Sequence, residues 1–223
     1  MADTNPVPGP FPGLDDTPRV IDLSHNDAVT SFATAKAAGL AGVIHKATTG
    51  GTGSDPQYAA RRQAATDAGL LWGAYHWGTA APVAQQVANF LAVAQPNAQT
   101  LVALDYEATP GDQMTLDLAR GFSDGVFAAL GRRPVIYGGI LLKTDLGATV
   151  DAFFGSHRLW LAQYGPAPAV QASWQTFWLW QYTDGTSGPG CQAVTGVPGN
   201  AAGDLDCDYF QGATADLTAQ WAS

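Results

Sequence analysis

Apolar strand-like runs alternate with helix-like segments through the first two thirds of this chain, and that alternation restricts the fold more than any other feature. Arg19–Leu23 (RVIDL), Leu40–Lys46 (LAGVIHK), Leu71–His76 (LWGAYH), Thr100–Glu107 (TLVALDYE) and Pro134–Tyr137 (PVIY) read as strands. Between them, helical periodicity covers Ala28–Ala38, a stretch from Pro56 towards Gly69, Pro82–Ala94 and roughly Met114–Leu130. Strands alternating with helices form parallel β/α units. Beyond Tyr137 the rhythm changes. Arg158–Tyr164, Phe177–Thr183 and Asp206–Phe210 read as strands joined by short or irregular connections with few helical signals. Five β/α units followed by strand-rich sequence predict an α/β chain folded as one TIM-like barrel with a degenerate last third. A length of 223 residues suits a single such domain.

Residues 1–18 precede the first strand. Their Pro and Gly content predicts an extended tail, dispensable for catalysis, ahead of a barrel domain spanning 19–223. They carry neither a basic n-region nor an apolar h-region, so they do not read as a secretory signal. No run of about 18 apolar residues is present, which predicts no membrane insertion. The net charge of −9 disfavours nucleic acid and anionic membrane surfaces. A neutral or mildly charged glycan stays compatible, and among seven Trp some are expected to stack on sugar rings while most pack the core.

In a β/α barrel the site lies at the C-terminal strand ends, so polar residues that interrupt apolar runs there are the informative ones. Asp22 follows Val20 and Ile21. Asp105 and Glu107 close the run LVAL. Asp206 stands in the last strand-like segment. Residues i and i+2 of a strand share a face, so Asp105 and Glu107 both point into the barrel mouth, with Cα atoms about 6.6 Å apart, while Tyr106 faces the helices. Two carboxyls crowded in a desolvated cleft cannot both ionise freely, and one becomes a proton donor. Glycoside hydrolysis uses such a pair. A lone D-x-E is more often solvated or a helix cap; four carboxylates at three strand ends reverse that balance. Asp204, two residues before Asp206, is expected to lie in the preceding Gly-rich loop.

The remaining motifs carry less. His25, His45, His76 and His157 lie on separate elements without i, i+4 pairing, so no metal is expected. The loop GGTGS lacks the G-K-[ST] ending of a phosphate loop, and no cofactor is expected. Lys46 either pairs with a site carboxylate or stands solvated. Cys191 and Cys207 either form one disulfide or remain as two buried thiols.

The segments VIDLSH, AGVIHKATTGGTGSDPQY, AGLLWGAYHWGT, LVALDYE, VIYGG, LWLAQYG, LWQYTDG and DLDCDYF occur in an order that resembles the family 25 glycoside hydrolases, the Chalaropsis-type lysozymes. The resemblance spans about Arg19–Gly212. It implies an irregular (β/α)5(β)3 barrel and cleavage of the β-1,4 bond between N-acetylmuramic acid and N-acetylglucosamine in bacterial peptidoglycan. It further implies action at the cell wall, extracellular or periplasmic, and the chain is expected to be a monomer. Glu107 matches the catalytic acid and Asp105 its partner; Asp22 and Asp206 match the first- and last-strand aspartates. Tyr75, Tyr137, Trp160, Tyr164 and Gln181 fall at positions resembling groove-lining residues. The chain departs from the pattern at Asn26, where Trp is usual, at Thr49, where Glu is usual, and at Asp208, where Asn is usual. Two routes remain open: attack by the substrate's own acetamido carbonyl, oriented by Asp105, or direct inversion with Asp206 or Asp22 holding water. A chitinase-like hydrolase and a wall-binding module without turnover are the alternatives; four intact carboxylates argue against the second.

Overall fold

The computed structural model describes residues 19–165, 167–191 and 194–223. The expected tail at 1–18 lies outside the described residues. In chain order the elements are β1 (Arg19–Leu23), α1 (Phe32–Ala37), β2 (Leu40–Thr49), β3 (Gly53–Ser54), α2 (Tyr58–Asp67), β4 (Leu71–Trp77), α3 (Val83–Ala94), β5 (Leu101–Tyr106) and α4 (Leu116–Leu130). They continue as β6 (Val135–Gly138), α5 (Ile140–Leu146), α6 (Ala152–Gly155), β7 (Leu159–Ala162), β8 (Leu179–Thr183), β9 (Asp206–Tyr209) and α7 (Thr214–Gln220). The strand order is β1-β9-β8-β7-β6-β5-β4-β2, with β3 hairpinned onto β2, and β1 also pairs with β2, which closes the ring. Neighbours from β1 through β2 to β8 run parallel, whereas β9 is antiparallel to both β8 and β1. This is an irregular eight-stranded α/β barrel with five β/α units and a strand-rich closing third, as the alternation and the resemblance imply.

Period-two alternation sorts the core into two layers. Ile21, Leu23, Val43, Trp72, Val102, Leu104, Tyr106, Ile136 and Leu161 face the helices. Val20, Ile44, Leu101, Ala103, Val135, Tyr137, Trp160 and Leu179 fill the barrel. Tyr106 reaches outward to α5, its hydroxyl donating to Asp145 Oδ2 at 2.6 Å.

The first helix is shorter than its Ala28–Ala38 periodicity suggests. A Gly-rich loop from the C-terminal third takes its leading backbone groups. Ala28 N donates to Gly199 O at 2.6 Å, and Thr30 N and Ser31 N both donate to Gly196 O. Ser31 then becomes the N-cap, accepting from Thr34 N at 3.1 Å. The helix stops where expected, with Gly39 at φ 95 just beyond it. Helix content after Tyr137 exceeds the sequence expectation: α5 and α6 form the fifth crossover, and α7 follows the last strand.

That last helix plugs the barrel floor. Trp221, 1% exposed, packs with Phe210 and Leu217 inside the ring and donates from Nε1 to Trp72 O at 2.8 Å. Gly42 leaves room for it: a Cβ there would lie 2.8 Å from Trp221 Cη2. Cys191 and Cys207 are bridged, with Cα atoms 5.9 Å apart. The bond ties the loop before β9 to the strand itself, at a residue flanked by Asp206 and Asp208.

Removing the plug as Trp221→Ala is expected to lower unfolding stability by about 3–5 kcal/mol, the usual cost of truncating a buried Trp. Urea unfolding followed by far-UV circular dichroism measures it; a loss below about 1 kcal/mol would show that α7 is peripheral.

Candidate active site

Seven strands deliver acidic or hydrogen-bonding side chains to one end of the barrel. A cavity of about 250 Å³ there is walled by Asp22, Tyr75, Trp77, Asp105, Glu107, Tyr137, Trp160, Tyr164, Gln181, Asp184 and Asp206. It brings together all nine residues singled out from the sequence. Asp105 is the inward residue of β5 at its upper end, and Glu107 lies one residue past that strand. The strand therefore ends at Tyr106 rather than at Glu107. The turn beyond is pinned: Gln113 Nε2 donates to Glu107 O at 3.2 Å, and Trp77 Nε1 donates to Thr109 Oγ1 at 2.8 Å.

Asp206 arrives by a different geometry. Because β9 runs antiparallel to β1, its first residue, not its last, sits level with the upper ends of the parallel strands. Asp206 pairs with Asp22 and Asp208 with Val20. Asp208 therefore points into the barrel one layer deeper, where its Oδ1 accepts from Trp160 Nε1 at 2.6 Å. Asp204 lies in the preceding loop, as expected, held by Asn200.

A neutral amide organises the far wall. Gln181 donates from Nε2 to Asp22 Oδ2 at 2.7 Å, and its Oε1 accepts from Tyr137 at 2.8 Å and Tyr164 at 3.1 Å. Trp160 is buried below, edge-on to Tyr137 and Tyr75. Tyr164 stands at the rim, 40% exposed. The Lys46 ammonium stands 4.4 Å from the Trp77 ring centroid, on the same side of the cavity as the β5 carboxyls.

Burial is the main force on every carboxyl here. It raises Asp105 well above the usual range, with Glu107 adding to the rise and Lys46 opposing it. It also raises Glu107, tempered by the neighbouring Tyr137 hydroxyl and by Lys46. Asp22 is raised by burial and by Asp206 and Asp208, while Gln181 pulls it down. Asp206 moves from 3.8 to about 7, through burial and then Asp27 and Asp184. Two buried carboxyl oxygens, Asp105 Oδ1 and, one layer deeper, Asp208 Oδ2, accept no hydrogen bond among the described residues. The site thus holds four carboxyls all shifted towards their protonated forms, Asp206 to about 7.

The histidines are committed elsewhere. His25 pairs with Asp55 at 2.9 Å, His45 contacts Arg61 at 3.0 Å, His76 lies between Thr48 and Gln86, and His157 bonds Ser123 at 2.6 Å. Among the described residues no three His, Cys, Asp or Glu side chains group to hold a metal ion.

Sequence reasoning passed over Trp77 and Asp184, and named Asp208 only as a departure from the family pattern. Trp77 is two past Tyr75 on β4, so strict period-two reading finds it. Asp208 follows by the same rule from Asp206. Asp184 lies just past β8 and carries no periodic signal.

A folded-state carboxyl raised above its unfolded value binds an extra proton. Its favourable contribution is full below the unfolded pKa and is lost as pH rises through the folded one. For Asp206 that window runs from about 4 to about 7. Asp206→Asn removes the ionisation. Its melting temperature minus that of the wild type should grow more positive from pH 4 to pH 8, by calorimetry. The difference cancels the opposing contribution of the buried histidines. A pH-independent difference would show that Asp206 titrates normally.

A sequence profile of the glycosyl hydrolases family 25 matches residues 21–191. Lysozyme M1 of Streptomyces globisporus is 27% identical over 214 residues, covering 89% of this chain and 69% of that protein. Among solved structures, the lysozyme of Streptomyces coelicolor superposes with a TM-score of 0.79 at 26% identity, covering 92% of this chain and 97% of that one. A family 25 lysozyme from Aspergillus fumigatus gives 0.74 at 26% identity, over 93% and 100%. The profile stops short of Asp206 and Asp208, but the structural matches extend across most of the barrel. The matched span runs from Ile21, within β1, through β8 and takes in most of the acidic cavity; this chain belongs to the glycosyl hydrolases family 25.

Proposed function

We propose that the protein cleaves the β-1,4 bond between N-acetylmuramic acid and N-acetylglucosamine in bacterial peptidoglycan, acting at the cell wall, with Glu107 as general acid and base. The observation that carries this is the pair at the end of β5: Asp105 and Glu107 open into one cavity, both raised by burial. The relatedness to lysozymes names the substrate class.

Glu107, protonated, donates to the glycosidic oxygen as the bond from that oxygen to the anomeric carbon breaks. Positive charge grows on the sugar ring, and the surrounding carboxylates stabilise it. Asp105 lies on the same strand face as Glu107, too near to attack the opposite side of the ring. Its unpaired Oδ1 is suited instead to accept the N–H of the 2-acetamido group. A hydrogen bond to the anion favours ionised Asp105 and makes the acetamido carbonyl oxygen more nucleophilic. That oxygen bonds to the anomeric carbon, forming an oxazolinium ring. Glu107, now a carboxylate, takes a proton from water as the water opens the ring, giving net retention. Gln181, through Asp22 and the two tyrosines, fixes the opposite wall against which the sugar seats.

Glu107→Gln is nearly isosteric and cannot donate an acidic proton. Turnover on purified peptidoglycan, read as new reducing ends, should fall by at least about 10²–10⁴-fold while the melting temperature is kept. A folded variant that hydrolyses at the wild-type rate would remove Glu107 from the chemistry.

A further inference from the structure

A second cavity, of about 540 Å³, opens beside the first and shares Glu107 and Tyr164 with it. It runs from Glu107 over α5 and the end of β7, past Ile140, Leu141, Lys143 and Gln163. Two features of its wall are costly unless something binds there. Ile140 is 85% exposed, and Tyr164, 40% exposed, faces it; both are among the most exposed large apolar side chains of the described residues. Lys143 is partly buried, and its Nζ donates to the neutral amide oxygen of Gln163. Burial lowers the Lys143 pKa with no carboxylate offsetting the cost. Among the described residues no acidic group forms an ion pair with it, although acidic residues outnumber basic ones by 19 to 10. Gln163 is itself held, its Nε2 donating to Ala167 O at 2.9 Å, so the ammonium is held at a fixed place on the wall.

An apolar rim with one uncompensated cation fits a ligand that is small, apolar and carboxylate-bearing. Continuity through Glu107 places that ligand on the same substrate whose glycosidic bond lies in the acidic cavity. We infer that this side cavity receives the lactyl-linked peptide of the muramic residue, with Ile140 and Tyr164 against its methyl and methylene groups and Lys143 on a peptide carboxylate. The inference rests on the proposed peptidoglycan cleavage and deepens it: substrate choice would extend beyond the sugar chain to its peptide substituent.

The test compares kcat/KM on two polymers, peptide-bearing glycan and the same glycan stripped of peptides by an amidase. Cleavage is scored by new muramic reducing ends. The ratio of the two values cancels any general damage to catalysis or folding. Lys143→Gln should lower the ratio about tenfold, the scale of one lost charge-assisted hydrogen bond. Lys143→Arg, which keeps the charge, should restore most of it. Ile140→Ser should lower the ratio in the same direction, and serves if Lys143→Gln does not fold. A ratio within twofold of wild type in Lys143→Gln and Ile140→Ser would overturn the inference and leave the cleavage reading intact. A wild-type protein that releases muramic reducing ends from neither polymer would overturn both.

Discussion

Closing the sheet between β1 and β2 forces every second side chain of eight strands into one enclosed space, and the rest of the molecule follows from what that space can hold. Its lower layers take Val20, Ile44, Leu101, Ala103, Val135 and Leu179, with Trp221 as the floor. Its upper layer takes Asp22, Asp105 and Asp206, with Glu107 just above. Four carboxyls so confined cannot all be charged. The cost of desolvation is met by retaining protons and by neutral partners, chiefly Gln181 and Tyr137. A site that pushes its carboxyls towards the protonated form is what an acid catalyst of glycosidic cleavage needs.

The antiparallel β9 is the irregularity that completes this layer. In a regular barrel an eighth parallel strand would send its last residue to the mouth. Here the reversed strand sends its first, Asp206, and buries the next inward residue, Asp208, against Trp160. The Cys191–Cys207 bond anchors the preceding loop to that same strand, between Asp206 and Asp208, so the covalent tie and the two carboxyls are parts of one local arrangement.

Much of this was legible in the residues. Asp22 and Asp105 interrupt apolar runs at strand ends, and the D-Y-E spacing separates an inward pair from outward Tyr106, as found. What escaped depends on contacts between distant segments. The first turn of the Ala28–Ala38 helix is lost because Gly196 and Gly199 claim its backbone. The hydrogen-bond partner of Asp208, a Trp160 N–H 48 residues away, is likewise set by the fold. The pairing of Cys191 with Cys207 needs the fold to bring them together. Lys46 was left between two roles, and its position over Trp77 depends on the pairing of β2 with β4. The Trp221 plug carried no signal because nothing local marks a residue that fills another element's cavity.

The central claim is that this acidic cavity cleaves peptidoglycan on the reducing side of muramic acid. Digestion of purified peptidoglycan, borohydride reduction of the fragments and mass spectrometry of the new ends test it most directly. Reduced N-acetylmuramic acid at those ends is the result expected. Reduced N-acetylglucosamine there, or no new reducing ends at all, would contradict it.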